Sequence, residues 1–268
     1  MELHRGDPRY PAALEDLPDP PRRLWARGDL AILERPTVAI VGTRRATAYA
    51  ERVTRQLATT LARAGACVIS GLARGVDAAA HRGALEVGGA TIAVLGTGLD
   101  VCFPKGHASL QRDIAARGLL LTELPPTDAA HGGSFPRRNR IIAALARTTI
   151  VVEAGVKSGA LITATRALEM NRTVAAVPGP IDVPQAQGSN ELVRDGATAV
   201  TSMADALALL GLTAPIRLHE IPEGTIERTV WQALEVGGLD LESLAARALP
   251  HFEPMSLRAT KAASYGGK

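Results

Sequence analysis

The sequence predicts an α/β protein built on a doubly wound, mostly parallel sheet. From residue 37 onward, short apolar segments alternate with longer amphipathic segments, which is the pattern of β-α-β units. The apolar segments recur at intervals of roughly 20 to 30 residues, as right-handed crossovers through a helix require. Two of the turns between them, residues 64–66 and 87–90, end a predicted helix with glycine and lead into the next strand. Together these features indicate a parallel sheet with helices on both faces.

Each predicted strand is a short apolar run, and each predicted helix carries apolar residues at helical spacing. The strands are predicted at residues 37–42, 66–70, 90–95, 119–122, 148–152, 173–177 and 197–200. The helices are predicted at residues 50–64, 76–87, 138–146 and 158–170, and a helix at 202–210 closes the domain.

Residues 1–35 are rich in proline and charge. The prolines within residues 18–21 break any helix there. We predict an extended leader that packs Leu24 and Trp25 against the main domain, which we place at residues 36–212.

The last part of the chain has a different composition. Residues 213–224 are predicted to form a linker. Two short amphipathic helices follow, at residues 226–236 and 241–249, and they resemble the first half of a winged-helix module. We therefore expect residues 225–268 to form a small all-α, partial winged-helix-like segment.

Composition excludes several classes of protein. The 268 residues, 46% hydrophobic and 21% charged, suffice to bury a full core. The sequence has no apolar run of about 18 residues and no apolar segment near its start, so we expect a cytoplasmic protein. Cys67 and Cys102 match neither a disulfide framework nor a metal-binding spacing, so both are interpreted as reduced and structural. The net charge of +3 is only mildly basic, so a nucleic-acid interpretation depends on where the charge lies.

Basic and glycine residues concentrate in the turns that follow the predicted strands, which in an open parallel sheet meet at the ligand-binding edge. The first strand is followed by Gly42, Thr43, Arg44 and Arg45, where a dinucleotide-binding fold needs three spaced glycines and this chain has only the first. The two arginines suit a phosphate held by guanidinium groups and helix amides. The alternative is that both are solvated loop residues.

The turn after the second strand carries a candidate backbone nest for an anion. Asp77 and His81, four residues apart on one helical face, are interpreted as a hydrogen-bonded pair that anchors the helix, because no nucleophile accompanies them. The nest consists of Ser70, Gly71 and Gly75, with Arg74 beside it.

Two later loops place an aromatic ring near cations. Phe103 precedes Lys105, and Phe135 precedes a basic run at residues 137–140. A base can stack on such a ring while the cations hold phosphates, each stack being worth about 1 to 3 kcal/mol. A core role for Phe103 is equally consistent with the sequence. The basic run contains Arg137, Asn139 and Arg140 as candidate ligand contacts.

The turn after the fifth strand contains a further phosphate contact. Lys157 comes just before a helix that Ser158 can cap, and Gly159 follows. Glu153 is interpreted as an anchor for an arginine or for backbone amides rather than as a general base. The loop at residues 188–190 is placed at the rim of the same site.

Taken together, these segments resemble the DNA-processing protein A family, also called Smf, the single-stranded DNA binders of natural transformation. The resemblance covers about residues 8–212 and rests on residues 42–44, 70–77 with His81, 135–142, 153–154 with 157–159, and 177–179 with 188–190. It implies an extended Rossmann-like fold without a nicotinamide cofactor, single-stranded DNA binding in a basic pocket, homodimerisation, and delivery of the strand to the RecA recombinase. It implies no catalytic residue and no metal. The residues that inherit the DNA-contact role are Arg44, Lys105, Phe135, Arg137, Asn139, Arg140 and Lys157, with Arg45 and Arg74 alongside.

Two other classes of function compete with this interpretation. Nucleoside monophosphate N-glycosidases of the lysine-decarboxylase-like group share the Rossmann variant, but they need a Pro-Gly-Gly-x-Gly-Thr turn followed closely by a glutamate. Here Pro178 and Gly179 are followed by Pro180, and residues 153–157 replace the phosphate turn. A scaffold that binds only proteins would leave the arginine-rich edge unexplained.

Overall fold

The computed structural model describes residues 1–213, which form one mixed sheet with helices on both faces. The strands are β1 (Glu2–His4), β2 (Arg23–Gly28), β3 (Thr37–Val41), β4 (Cys67–Ser70), β5 (Thr91–Val94), β6 (Leu119–Thr122), β7 (Thr148–Val151), β8 (Thr173–Ala176) and β9 (Thr198–Ala199). The helices are α1 (Ala48–Arg63), α2 (Val76–Glu86), α3 (Ala108–Arg117), α4 (Ser134–Leu145), α5 (Gly159–Glu169), α6 (Gln187–Arg194) and α7 (Met203–Ala208). In this part of the chain, no helix is both long enough and apolar enough to cross a membrane.

The strand order is β1-β2-β6-β5-β4-β3-β7-β8-β9. Strands β3 to β9 run parallel, while β1 and β2 pair antiparallel at one edge. The chain leaves β3 in one direction through β4, β5 and β6, and then crosses to the other side of β3 to form β7. The loops after β3 and β7 therefore diverge, and a crevice opens between them at the carboxyl edge of the sheet.

Alternate residues along the central strands face two different helical layers. Ala39 and Val41 of β3 pack in one buried cluster with residues of α4 and α5. Val38 and Ile40 of the same strand pack in a second cluster with residues of α1, α2 and α7. Because both faces are covered, the central strands are mostly apolar, as in other parallel sheets.

The predicted fold class is confirmed, and each predicted strand lies within one residue of its observed limits. The predicted helix 138–146 begins four residues too late, because α4 starts at Ser134. Pro136 falls in the first turn of α4, where a backbone N–H has no partner within the helix, so proline is tolerated. The segment 188–190, predicted as a loop, lies in α6 because helix α6 begins at Gln187.

The segment predicted to be an extended leader forms two strands, β1 and β2, that were not predicted from the sequence. Leu24 and Trp25 are buried, as expected, and Trp25 pairs with Thr122 across the β2–β6 ladder. Residues 1–35 thus form part of the sheet in addition to covering it. The predicted segment 225–268 and all but the first residue of the predicted linker 213–224 lie outside the described residues.

Candidate functional site

A cleft of about 750 Å³ opens at the carboxyl ends of β3 and β7, where the sheet changes direction. Its walls are the loop after β3, the first turns of α4, and the segment 155–160 that leads into α5. Pro184 and Gln185 complete the wall on the β8 side. This position is the ligand-binding crevice of open parallel sheets.

The lining of the cleft is cationic. Among the described residues it contains four basic side chains and one carboxylate, Asp77. Arg44, Arg45 and Lys157 are exposed at the rim. Ser158 caps α5 by accepting a hydrogen bond from the amide of Ala160 at 3.3 Å, so the positive end of the helix dipole faces the cleft. The basic side chains and the positive end of the α5 dipole both favour an anionic ligand in the cleft.

An aromatic ring lies at one edge of the cleft. The guanidinium carbon of Arg44 is 5.4 Å from the ring centroid of Phe135, within cation–π range. The ring of Phe103 is tilted against that of Phe135, with centroids 5.1 Å apart. A Cβ on Gly96 would lie 2.5 Å from Cδ1 of Phe135, so the ring can occupy this position only beside a glycine. Phe103 is 48% exposed and is therefore not a core residue.

Arg138 forms the floor of the cleft and is only 4% exposed. Its Nη1 donates to the carbonyl oxygen of Gly71 at 2.7 Å and also to that of Val94, and its Nε donates to Oδ1 of Asn139 at 3.2 Å. A Cβ on Gly71 would lie 2.5 Å from Nη2, so this close approach requires glycine. Burial lowers the pKa of Arg138 to about 10, which leaves the side chain charged at neutral pH.

Asp77 accepts hydrogen bonds at Oδ2 from the amides of Gly71 (3.1 Å) and Ala73 (3.3 Å). Burial raises the pKa of this carboxyl, while the charge of Arg138 and the two amides act in the opposite direction. The two amides belong to the turn that was predicted to be an anion nest. The prediction of a free nest is therefore wrong, because the chain's own carboxylate fills it.

His81 and Asp77 have separate partners, so the predicted hydrogen-bonded pair is wrong. Nδ1 of His81 lies 2.7 Å from the hydroxyl of Thr91, which donates to the carbonyl oxygen of Val68 at 2.8 Å. The hydroxyl therefore accepts from an Nδ1–H group. Burial, reinforced by the charge of Arg138, lowers the pKa of His81 to about 3. The imidazole is neutral and holds α2 to β5.

Glu153 anchors the start of α1. Its carboxylate accepts from the backbone amide of Thr47 at 3.0 Å and from the hydroxyl of Thr47 at 2.8 Å. The same hydroxyl oxygen accepts from the amide of Ala50 and so caps the helix. The interpretation of Glu153 as an anchor for a backbone amide is confirmed.

Of the residues predicted for the site, eight line the cleft and seven do not. Those in the lining are Gly42, Arg44, Arg45, Phe135, Asn139, Lys157, Ser158 and Gly159. Those outside the lining are Ser70, Gly71, Arg74, Gly75, Lys105, Arg137 and Arg140.

Burial and internal hydrogen bonds explain most of the residues outside the lining. The hydroxyl of Ser70 donates to the carbonyl oxygen of Ile40 at 2.7 Å. Gly71 is buried beneath Arg138, and Gly75 packs against the carbonyl oxygen of Thr43. Arg74 and Lys105, by contrast, are exposed side chains outside the lining.

The basic run of α4 divides between two faces of the helix. Phe135, Arg138, Asn139 and Ile142 follow helical spacing and face the cleft. Arg137 and Arg140 face Glu123 instead, with N–O distances of 3.3 and 2.5 Å. Arg140 is buried in this ion pair, so its predicted role as a direct ligand contact is wrong.

Arg138 was not among the residues predicted for the site, although it lies within the basic run at residues 137–140. Arg138 can be identified from helical spacing, because it lies three residues after Phe135 and therefore on the same face of a helix. This spacing is recognised only when the helix begins at Ser134. Fold and site together define a Rossmann-like protein with a cationic, aromatic-edged cleft suited to an anionic ligand.

Comparison with known proteins identifies the family to which the chain belongs. It belongs to the family of DNA recombination-mediator protein A, whose sequence model matches residues 2–211. It is 46% identical over 213 residues to Protein Smf of Synechocystis sp., an alignment that covers 78% of this chain and 54% of that protein. The chain thus spans little more than half the length of this curated relative.

Two solved structures share the fold. The X-ray structure of DNA processing protein A from Streptococcus pneumoniae superposes with a TM-score of 0.75 at 42% identity, covering 78% of this chain and 73% of that one. The protein of the same name from Helicobacter pylori, whose structure was described for its single-stranded DNA binding mode, gives a TM-score of 0.72 at 34% identity. That match covers 78% of this chain and 95% of the other.

Proposed function

We propose that this protein binds single-stranded DNA in the cleft and acts in the processing of DNA during recombination. The arrangement of Arg44 over the ring of Phe135 carries the proposal. It sets a cation for a phosphate next to a flat apolar surface for a base, which is the combination used by proteins that bind single strands. The remaining rim cations, Arg45 and Lys157, extend the positive surface along the path of a backbone.

A single strand suits this site better than a duplex. Stacking on Phe135 requires the face of a base, and in a duplex those faces are covered by the neighbouring base pairs. The Helicobacter pylori relative, described for single-stranded DNA binding, supports the same ligand. Membership of the recombination-mediator family supports the process.

We further propose that the protein protects the bound strand and delivers it to the RecA recombinase, as a homodimer in the cytoplasm. The role is one of binding rather than catalysis. Two candidate catalytic side chains are already engaged: Glu153 holds Thr47, and His81 is buried and neutral. Both arrangements support a structural role for these groups.

A fluorescent single-stranded oligonucleotide, compared with the matching duplex, tests the binding proposal. We expect tighter binding of the single strand, weakened several-fold in Arg44→Ala. Arg23→Ala is the matched control, because Arg23 also lies over an aromatic ring, that of Trp25 at 5.3 Å, but in β2 rather than at the cleft. Absence of binding to either oligonucleotide would overturn the proposal and direct attention to nucleoside monophosphate hydrolysis.

Delivery of the strand has its own test. RecA filament formation on the single strand is followed with and without the full chain, and we expect faster formation with it. Sedimentation of the free protein measures the oligomeric state. A chain that binds the strand but does not accelerate filament formation would refute delivery while leaving the binding proposal intact.

A further inference from the structure

A second groove lies between α1 and α2, on the side of the sheet opposite α4 and α5. It has a volume of about 740 Å³ and is lined by residues between 48 and 63 of α1 and between 79 and 86 of α2. The two helices approach closely because residue 83 is glycine: a Cβ on Gly83 would lie 2.6 Å from the carbonyl oxygen of Arg55. The groove follows α1 along its 16 residues, a length of about 24 Å.

The groove begins where the cleft ends. Arg45 lines the cleft, and Ala48, three residues later, lines the groove. In the same way Asp77 lines the cleft, and Ala79, two residues later, lines the groove. These separations allow at most about 11 Å and about 7 Å between the Cα atoms, so the two concave surfaces adjoin at the first turns of both helices.

Arginine side chains line both walls of the groove. Among the described residues, those in the lining are Arg52, Arg55, Arg63 and Arg82, all of them exposed. The lining also contains two carboxylates, Glu51 and Glu86, and Glu86 lies 2.6 Å from Arg55 in an ion pair. The other three arginines have no ion pair within residues 1–213. Because like charges gathered in one groove repel one another, an anion bound between them is favoured.

An aromatic ring lies at the end of the groove that adjoins the cleft. Tyr49, in the first turn of α1, is 42% exposed. The guanidinium carbon of Arg52 is 5.6 Å from its ring centroid, within cation–π range. The pair repeats, outside the cleft, the arrangement of Arg44 and Phe135. It therefore offers the same combination of a flat apolar surface for a base and a cation for a phosphate.

We propose that single-stranded DNA leaves the cleft past Arg45 and continues along the groove between α1 and α2, where Tyr49 stacks a base and Arg52 and Arg82 bind phosphates. This inference rests on the proposed function of the cleft. A linear polyanion fits a long groove that is lined by arginine and continuous with a cationic cleft. At the 3.4 Å per nucleotide of a stacked strand, the groove holds about seven nucleotides, and a stretched strand places fewer there.

Salt titrations with two lengths of fluorescent oligothymidylate test the proposal. A strand of about 5 nucleotides occupies the cleft, whereas one of about 20 nucleotides also reaches the groove. For the double variant Arg52→Ala and Arg82→Ala, we expect the log–log salt slope of the long strand to fall by about 1.4, which is two phosphates at about 0.7 each. The slope of the short strand is expected to stay unchanged.

The matched control is the double variant Arg22→Ala and Arg112→Ala. It removes the same charge from two exposed arginines that lie outside both the cleft and the groove. Tyr49→Leu is a separate variant, which we expect to weaken binding of the long strand by roughly tenfold without changing its slope. Unfolding by urea, measured alongside, separates misfolding from loss of binding.

The outcomes distinguish the groove from the cleft. Equal long-strand slopes in the arginine variant and its control would overturn the proposal, and so would an equal fall in slope on both lengths. If neither strand binds the parent protein, the proposed function fails. If both strands bind and Arg44→Ala weakens them while the groove variants change nothing, only the path along α1 and α2 fails.

Discussion

Arg138 of α4 donates a hydrogen bond of 2.7 Å to the carbonyl oxygen of Gly71, which follows β4 and lies 67 residues earlier in the chain. The contact fixes the first turns of α4 over the carboxyl edge of the sheet. Phe135 and Asn139, on the same helical face, are thereby held in the wall of the cleft. One buried guanidinium thus positions both the floor and one wall of the site.

Gly71→Ala is expected to destabilise the fold by about 3 kcal/mol, because the new methyl group displaces Arg138 and breaks its bonds to two carbonyl oxygens. Urea unfolding measures the change. Gly132→Ala is the matched control, since a Cβ there meets no atom within 4 Å. Equal stabilities of the two variants would contradict the assigned role of the Gly71 contact.

Lys157→Ala is expected to flatten the dependence of single-strand affinity on salt, because one phosphate contact contributes a log–log slope of about 0.7. Phe135→Leu is expected to weaken binding by roughly tenfold and leave the slope unchanged, since stacking releases no counterions. Fluorescence anisotropy across a salt titration measures both. A slope change in Phe135→Leu equal to that in Lys157→Ala would contradict the division of roles.

Arg140→Ala is expected to lower stability by about 2 kcal/mol, because it removes the closest cation from the largely buried carboxylate of Glu123. Arg137→Ala is expected to cost less than about 1 kcal/mol, since that side chain is exposed. Neither variant is expected to change the salt slope of DNA binding. A flatter salt dependence of DNA affinity in Arg140→Ala would instead support the sequence-based prediction that Arg140 contacts the ligand directly.

Stability is expected to fall on acidification below about pH 6.5. His81 stays neutral in the folded protein because its pKa is lowered to about 3, whereas the unfolded chain takes up a proton near the ordinary value. The unfolded state binds more protons between these two values, so His81 contributes a slope of at most about 1.4 kcal/mol per pH unit. Urea unfolding at pH 5 and pH 7 measures it.

His81→Asn supplies the control for that measurement. The asparagine amide can replace Nδ1–H as the donor to Thr91 and does not titrate. We expect a shallower pH dependence in the variant than in the parent protein. Identical pH dependence would show that other groups, and not His81, cause the acid sensitivity.

The parallel strands could be predicted from the sequence because they are buried on both faces and therefore form continuous runs of mainly apolar residues, as at residues 37–41. Strands β1 and β2 were not predicted, since β1 has only three residues and both strands carry charged residues at exposed positions. The start of α4 was predicted four residues too late because Phe135 was assigned to a loop, although Pro136 fits the first turn of a helix.

For the site, the sequence by itself determined which turns follow parallel strands and that basic, glycine and aromatic residues occupy them, because the alternation of strands and helices along the chain and the side-chain types are local properties. Only the tertiary structure decided which of those side chains remain available. Asp77 fills the predicted nest and Glu123 binds Arg140, while Arg138 is brought to the floor of the cleft. The reason is physical: a charged group in a folded chain binds whichever opposite charge or polar backbone group lies within reach, and the partners of Arg140 and Arg138 lie 17 and 67 residues away in sequence.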